Sequence, residues 1–198
     1  LIYISTKIQN KMNYREALSR HVYFQKTIKP KIKEKYEVRL DLYNSKREAI
    51  KEATHRAEVY IPSQDLPQSE EDKYIKQIKD IVSNAKPSMT FEKNMLSLLS
   101  YVYKEDYENS LIAFHKFKES AYILIEDPDN HKRATGYDLK TSETTKYTGE
   151  GAYLMVCNDV KNRVKDMEEL IRILGVNNGE VKQVLKSNKR MVKRHNKE

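Results

Sequence analysis

Apolar side chains recur every three or four residues over the first third of the chain. From residue 13 to about residue 61 they keep this spacing with two short gaps, and charged residues of both signs fill the positions between them. The spacing predicts a long amphipathic helical region, bent or broken near Pro30 because proline cannot donate a backbone hydrogen bond. Its apolar face suits either an intramolecular hairpin or a coiled-coil seam, and we predict a homo-oligomer or a protein partner through residues 13–61.

Three shorter helices are predicted after a proline-containing linker at residues 62–68. Ser69 can cap the first of them, and Pro87 should end it. Thr90 can cap the next, and the last passes through Tyr107. The final two carry the most apolar stretch of the chain, so we expect the core there.

Residues 121–157 follow a different pattern. Two short apolar runs, 122–125 and 153–156, flank a polar stretch rich in threonine and turn-forming residues. Such runs bounded by turn signals are typical of buried strands, so the pattern predicts a small antiparallel β-sheet here, followed by a helix capped by Asn158 or Asp159. The predicted fold class is therefore α+β, predominantly α. The predicted regions are a helical region at 1–118, the small sheet at 119–157 and a C-terminal helical region at 158–198.

The net charge of +8, from 37 basic and 29 acidic side chains, favours a polyanionic partner such as nucleic acid. The only cysteine, Cys157, excludes an intramolecular disulfide bond. No stretch approaches the roughly 18 apolar residues that span a bilayer, and the first residues are too short for a signal-peptide core. We therefore expect a cytoplasmic protein without a membrane partner.

Two apolar segments at helical spacing flank Gly175, with Leu174 before it and Val181 after it. The glycine tolerates the positive φ that a tight turn between two helices demands. Residues 167–186 therefore resemble a helix-turn-helix, a DNA-binding motif whose second helix lies in the major groove. Ile171 departs from the motif, in which a small residue is usual at that position. The same residues also fit an ordinary helical hairpin capped by the glycine.

The second helix of this motif would present polar and basic side chains opposite its apolar stripe. Asparagine and glutamine can pair with adenine edges, lysine can reach guanine or phosphate, and the basic residues further on can hold phosphates. The candidate nucleic-acid-binding residues are Asn177, Asn178, Lys182, Gln183, Lys186, Lys189, Arg190, Lys193 and Arg194.

Sequence motifs of enzymes are absent. The five histidines have no metal-binding spacing, and the chain lacks a P-loop, a dinucleotide-binding glycine motif and a nucleophile elbow. The polar cluster from Asp127 to His131 is explained by a turn. We expect no catalytic residue, no metal and no cofactor.

Two functional hypotheses follow from these patterns. The first is a sequence-specific protein that binds double-stranded DNA, such as a transcription regulator or a plasmid or phage replication or partition factor. The alternative is a virion or assembly protein in which long helices make protein contacts and a basic tail touches nucleic acid. A purely protein-binding helical adaptor is a third reading, and it predicts no affinity for DNA.

Overall fold

The computed structural model describes residues 12–126 and 150–195, and every element of regular structure within these ranges is helical. The α-helices are α1 (Tyr14–Tyr23), α2 (Lys29–His55), α3 (Gln68–Tyr103), α4 (Tyr107–Glu126), α5 (Glu150–Val176) and α6 (Lys182–His195). Three single-turn π-helical segments lie at Phe24–Ile28, Arg56–Tyr60 and Asn177–Val181. The first joins α1 to α2 and the third joins α5 to α6, so the backbone stays helical over residues 14–60 and again over residues 150–195.

Four helical segments, namely α1–α2, α3, α4 and α5–α6, pack as an antiparallel bundle. Lys29 pairs with Glu105 near one end of the first two segments and Arg39 pairs with Glu92 further along, so α2 and α3 run in opposite directions. The short turn after α3 reverses the chain again, and α4 returns along it. The arrangement is that of an up-and-down helical bundle, in which short connections make successive helices antiparallel neighbours.

The α5–α6 segment completes the bundle by packing against both α4 and the first segment. Lys35 Nζ lies 3.2 Å from Asp166 Oδ2, and Met12 N donates to Glu180 Oε1 over 3.3 Å. The α1–α2 and α5–α6 segments are therefore antiparallel. Part of the apolar face of α1–α2, at Phe24, Ile28 and Ile32, is buried in the chain's own core, while Leu18 and Val22 of α1 remain 41% and 40% exposed.

One continuous core unites the four segments. The rings of Phe91 and Phe117 stack across α3 and α4 with centroids 4.9 Å apart. The fully buried large side chains include Phe24, Met95, Leu98, Leu99, Val102, Phe117, Met167 and Leu174. As expected from the sequence, α3 and α4 supply much of this core.

Residues 40–90, called here the distal hairpin, contribute nothing to that core. This part of α2 and α3 buries few apolar side chains, namely Ala49, Ala57 and Ile61. Val59 and Tyr60 stand about half exposed, at 53% and 52%. The chain leaves the helix between residues 61 and 67, where the linker was predicted.

The predicted sheet is wrong, because the described residues contain no strand and the fold is all-α. Residues 122–125 belong to α4, where Leu124 is buried while Tyr122 and Ile123 are each 53% exposed. Ala121 and Leu124 continue the three- to four-residue spacing of Phe117 and face the core. A four-residue apolar run cannot distinguish a strand from a buried helical turn, and this longer spacing decides for the helix.

The second predicted strand, 153–156, belongs to α5, and the polar stretch between the two runs lies outside the described residues. Asn158 and Asp159 do not cap a helix, because they lie inside α5. Asp159 instead pairs with Arg163 one turn later, at 2.7 Å.

Neither proline ends its helix. Pro30 follows directly on the π-helical turn, in which Lys29 N bonds to the carbonyl of Phe24 five residues earlier, and such a turn can accommodate the ring and missing donor of a proline. Pro87 lies within α3, and Thr90 does not cap a new helix, since its hydroxyl donates to Lys86 O at 3.0 Å. The two helices predicted around Pro87 are therefore one.

Candidate nucleic-acid interface

The backbone does not turn at Gly175. It remains helical through α5, the π-helical turn and α6, with Val176 at φ −62° and ψ −46° and Lys182 at φ −64° and ψ −34°. A helix-turn-helix requires two short helices that cross steeply, and the described residues 150–195 show a single continuous helical path instead. The structure thus contains no such turn in residues 167–186, and any binding of DNA must use another geometry.

The sequence carried a signal for this continuity. Core positions lie three or four residues apart straight across the glycine, without the break that a turn would impose. They are Val160, Val164, Met167, Ile171, Leu174, Asn177, Val181 and Leu185. Ile171, too large for a helix-turn-helix at its position, is 8% exposed and packs in the core.

Gly175 is explained by a close approach instead of a turn. A Cβ built on it would lie 3.1 Å from both Cε2 and Oη of Tyr107, at the start of α4. The missing side chain lets α4 and α5 come together at this level. Gly179, on the next turn, has nothing within 4 Å of such a Cβ.

The predicted contact residues divide into an inward and an outward group. Asn177 is buried at 3% exposure, while Asn178 and Lys182 are half-buried and point toward the turn between α3 and α4. The outward group in the described part of α6 consists of Gln183, Lys186 and Lys189. The side chains of Arg190, Lys193 and Arg194 lie outside the described part of the structure.

Glu105 binds two members of the inward group, Asn178 and Lys182. This residue forms the turn after α3 with a left-handed backbone at φ 60°, and its carboxylate accepts from Gln25 Nε2 at 2.7 Å and Lys29 Nζ at 2.9 Å. Lys182 Nζ lies 3.1 Å from its other oxygen, and Asn178 Nδ2 donates to its backbone carbonyl. Although burial opposes ionisation, the hydrogen bonds from Gln25, Lys29 and Lys182 lower the pKa of the Glu105 carboxyl from 4.5 to about 2. Lys182 and Asn178 therefore hold the bundle together.

The chain's positive charge is concentrated towards its two ends, and the described parts of these ends pack on each other through α1 and the helical path after Val176. Residues 1–39 hold ten basic and three acidic side chains, and residues 177–198 hold seven basic and two acidic ones. Residues 40–176, by contrast, hold 20 basic and 24 acidic side chains. The whole positive excess thus belongs to the two ends of the chain, and the middle is slightly acidic.

A small apolar cluster joins those two segments. Met12, Ala17 and Val181 are buried together, and Val184 and Leu185 pack against them. Helix α6 is amphipathic, and with Val184 and Leu185 packed toward α1, Lys186 and Lys189 in the described part of the helix face solvent. We call residues 12–39 together with 177–195 the basic flank. Exposed cations of its described side chains include Arg15, Lys26, Lys31, Lys33, Lys186 and Lys189.

A buried ion network, which no sequence motif signalled, ties three segments together near the middle of the bundle. Glu92 is 6% exposed and meets Arg163 Nη1 at 2.8 Å and Arg39 Nη1 at 3.6 Å. Arg163 also lies over the ring of Phe91, 5.7 Å from its centroid. With Asp159, which also pairs with Arg163, the formal charges of the network balance, although Glu92 Oε2 and Arg163 Nε have no hydrogen-bond partner among the described residues. The network positions the three segments relative to one another.

A pocket of about 300 Å³ opens between α1 and the end of α5. Its lining residues are Arg20, Tyr23, Phe24, Glu169, Arg172, Ile173, Val176, Asn177 and Val181. Neither Nδ2 nor Oδ1 of Asn177 has a hydrogen-bond partner among the described residues, although both are buried. Leaving a buried polar group unpaired costs about 1–3 kcal/mol, so this asparagine needs an explanation that packing alone does not supply.

Other chemistry is sparse in the described ranges. They contain no group of histidine, cysteine and carboxylate side chains arranged to hold a metal ion, and none of their helices is both long and apolar enough to cross a membrane. The polar cluster from Asp127 to His131 lies outside them. No protein-family model, curated protein or solved structure matches this chain.

Proposed function

We propose that this protein is a cytoplasmic helical bundle that binds nucleic acid, and that its basic flank contacts the phosphate backbone of double-stranded DNA. The observation that carries the proposal is the segregation of charge. A net excess of basic residues in two distant parts of the sequence is brought onto one flank by the packing of α6 on α1. Clustered lysine and arginine side chains bind polyanions by releasing condensed counterions.

The inward position of Asn178 and Lys182 bears on the mode of binding. Side chains engaged with Glu105 are not free to contact base edges, which leaves Gln183 as the exposed carboxamide of the described part of α6, beside Lys186 and Lys189, whose flexible ammonium groups can reach either guanine or phosphate. Phosphate contacts position a protein on DNA but carry no sequence information directly. Binding with little sequence preference is therefore better supported than the specific recognition required of a transcription regulator or a replication factor.

An assembly role is the second candidate, and the distal hairpin favours it. Its large exposed apolar side chains include Leu42, Val59, Tyr60 and Tyr74. The hairpin lies outside the core and its charges nearly balance, as suits a surface for protein contact. In that case the basic flank would neutralise packaged nucleic acid.

A binding titration separates these possibilities. Fluorescence anisotropy of a labelled duplex is measured between about 50 and 200 mM salt, with and without excess random-sequence DNA. We expect affinity that falls steeply with salt and is competed away by random DNA. Binding that survives the competitor would establish sequence recognition, and no binding at the lowest salt would refute the proposal.

A further inference from the structure

The pocket between α1 and α5 is lined on both sides by residues of π-helical turns. Phe24 begins the first π-helical turn, and Asn177 and Val181 begin and end the third. Single π-helical turns within α-helices occur frequently at functional sites. Here they meet at a place where a bundle would ordinarily be filled with apolar side chains.

Asn177 is the buried polar residue among those that line this pocket. It is 3% exposed, and neither its carboxamide donor nor its acceptor has a partner among the described residues. A carboxamide places a donor and an acceptor side by side, and that pair matches the adjacent acceptor and donor on a nucleobase edge. Both atoms are closed to solvent, so contact with a ligand requires the side chain to rotate toward the pocket.

The surroundings divide into apolar walls and a charged rim. Phe24 and Val181 are buried walls, while Tyr23, at 54% exposure, offers an aromatic face near the opening. Arg20 and Arg172 are 50% and 64% exposed and bond to Glu16 and Glu169 in their own helices. A guanidinium has five donors, so each can bind a phosphate oxygen while keeping its carboxylate.

We propose that this pocket binds a nucleotide, with its base paired to Asn177 and its phosphate held at the rim by Arg20 and Arg172. The volume of about 300 Å³ accommodates a base and its sugar. The nucleotide is either free or an unpaired residue of a strand. The pocket lies within the basic flank but uses none of the exposed lysines of α6, so nucleotide binding can be tested separately from duplex binding through Lys186 and Lys189.

Calorimetric titration of the full chain with the four ribonucleoside monophosphates, and with the matching nucleosides, tests the site. At least one nucleotide should bind, and the nucleoside lacking phosphate should bind more weakly. Replacing Arg172 by Gln should remove most of that difference. A single-stranded octamer and its duplex identify the source. If the nucleotide is an unpaired residue of a strand, Arg172→Gln should weaken binding of the octamer and leave binding of the duplex, which uses the exposed lysines, unchanged.

The Asn177→Leu variant separates a ligand site from a packing defect. It should stabilise the fold by removing an unpaired polar group, yet weaken nucleotide binding by about tenfold or more. Asn44→Leu, at an exposed asparagine of the distal hairpin, is the matched control and should leave binding unchanged. If Asn177→Leu fails to fold, the Asn177 side-chain amide resonance of the wild type must shift on titration. No binding at millimolar nucleotide, an unchanged affinity in a folded Asn177→Leu variant, or an unmoved resonance would overturn the proposal.

Discussion

Lys182 Nζ lies 3.1 Å from Glu105 Oε2, so a lysine that the sequence pattern assigns to a DNA groove is half-buried and paired with a carboxylate of the bundle. Glu105 sits in the turn between α3 and α4 and also holds Gln25 and Lys29 from the first segment. One carboxylate thereby connects the first helical segment, the turn and the last segment. This contact fixes which face of the last segment turns inward, and hence which of its basic residues remain exposed.

Replacing Glu105 by Gln should destabilise the protein at neutral pH. The folded-state pKa of about 2 lies below the ordinary value of 4.5, so the carboxylate stabilises the fold above pH 4.5, and this contribution is lost as the pH falls from 4.5 toward 2. The corresponding loss is at most about 3 kcal/mol. Urea unfolding at several pH values should show the two proteins converging in acid.

Glu108→Gln is the control for that series, because Glu108 is exposed on the first turn of α4. Its stability should stay within about 0.5 kcal/mol of wild type at every pH. A Glu105→Gln variant whose deficit persists unchanged at pH 2 would show that the ionised carboxylate is not what holds the segments together.

Alanine substitutions at Gly175 and Gly179 test whether the α5–α6 segment is a continuous helix or contains a turn. Gly179→Ala should stabilise by up to about 1 kcal/mol, since alanine is the better helix former and nothing lies near the added methyl. Gly175→Ala should gain less or lose stability, because Tyr107 must move away. In a Tyr107→Ala background, Gly175→Ala should recover the helical gain.

Thermal unfolding of the four proteins in this cycle measures the coupling between residues 175 and 107. A turn with positive φ at residue 175 would make Gly175→Ala destabilising whatever residue stands at 107. If Gly175→Ala destabilises the protein equally with Tyr107 and with Ala at position 107, residue 175 has a positive φ and the chain turns there as in a helix-turn-helix.

Much of the helical architecture is predictable from periodicity, because the three- and four-residue spacing of apolar positions marks α1, α2, α3 and most of α4. The predictions that were wrong rested on local signals taken alone. Pro30, Pro87 and Gly175 each suggested an interruption, yet the apolar phase continues past all three, and tertiary packing outweighs the local cost of proline. The four apolar residues at 122–125 predict a strand when taken alone, whereas their spacing from Phe117 places them in a helix.

The candidate site was less predictable for a different reason. Lysines at 182 and 186 lie one helical turn apart in the sequence, but one pairs with Glu105 and the other faces solvent. That difference depends on a carboxylate 77 positions away in the chain from Lys182, which no local spacing reveals. The unpaired amide of Asn177 likewise becomes visible only when its neighbours are placed.

Arg163→Met should be strongly destabilising, by about 3 kcal/mol or more, because it leaves the buried carboxylate of Glu92 without its nearest partner. Arg39→Met should cost less, since its contact is longer at 3.6 Å and Glu92 keeps Arg163. Combining Arg163→Met with Glu92→Leu should recover part of the loss. Urea unfolding measures all three, and a double variant that is no better than Arg163→Met would contradict a charge-driven penalty.

The proposed function requires nucleic acid to contact the basic flank, and charge reversal at matched positions measures this. Lys186 and Lys189 are exposed on the basic flank, and Lys73 and Lys76 are exposed on the distal hairpin. The duplex affinity of the variants Lys186→Glu/Lys189→Glu and Lys73→Glu/Lys76→Glu is compared with wild type over a salt series. We predict that the first pair weakens binding by about tenfold or more and reduces the salt slope by roughly two, while the second leaves both nearly unchanged. Equal loss in the two variants, or loss in the hairpin variant alone, would contradict binding through the basic flank.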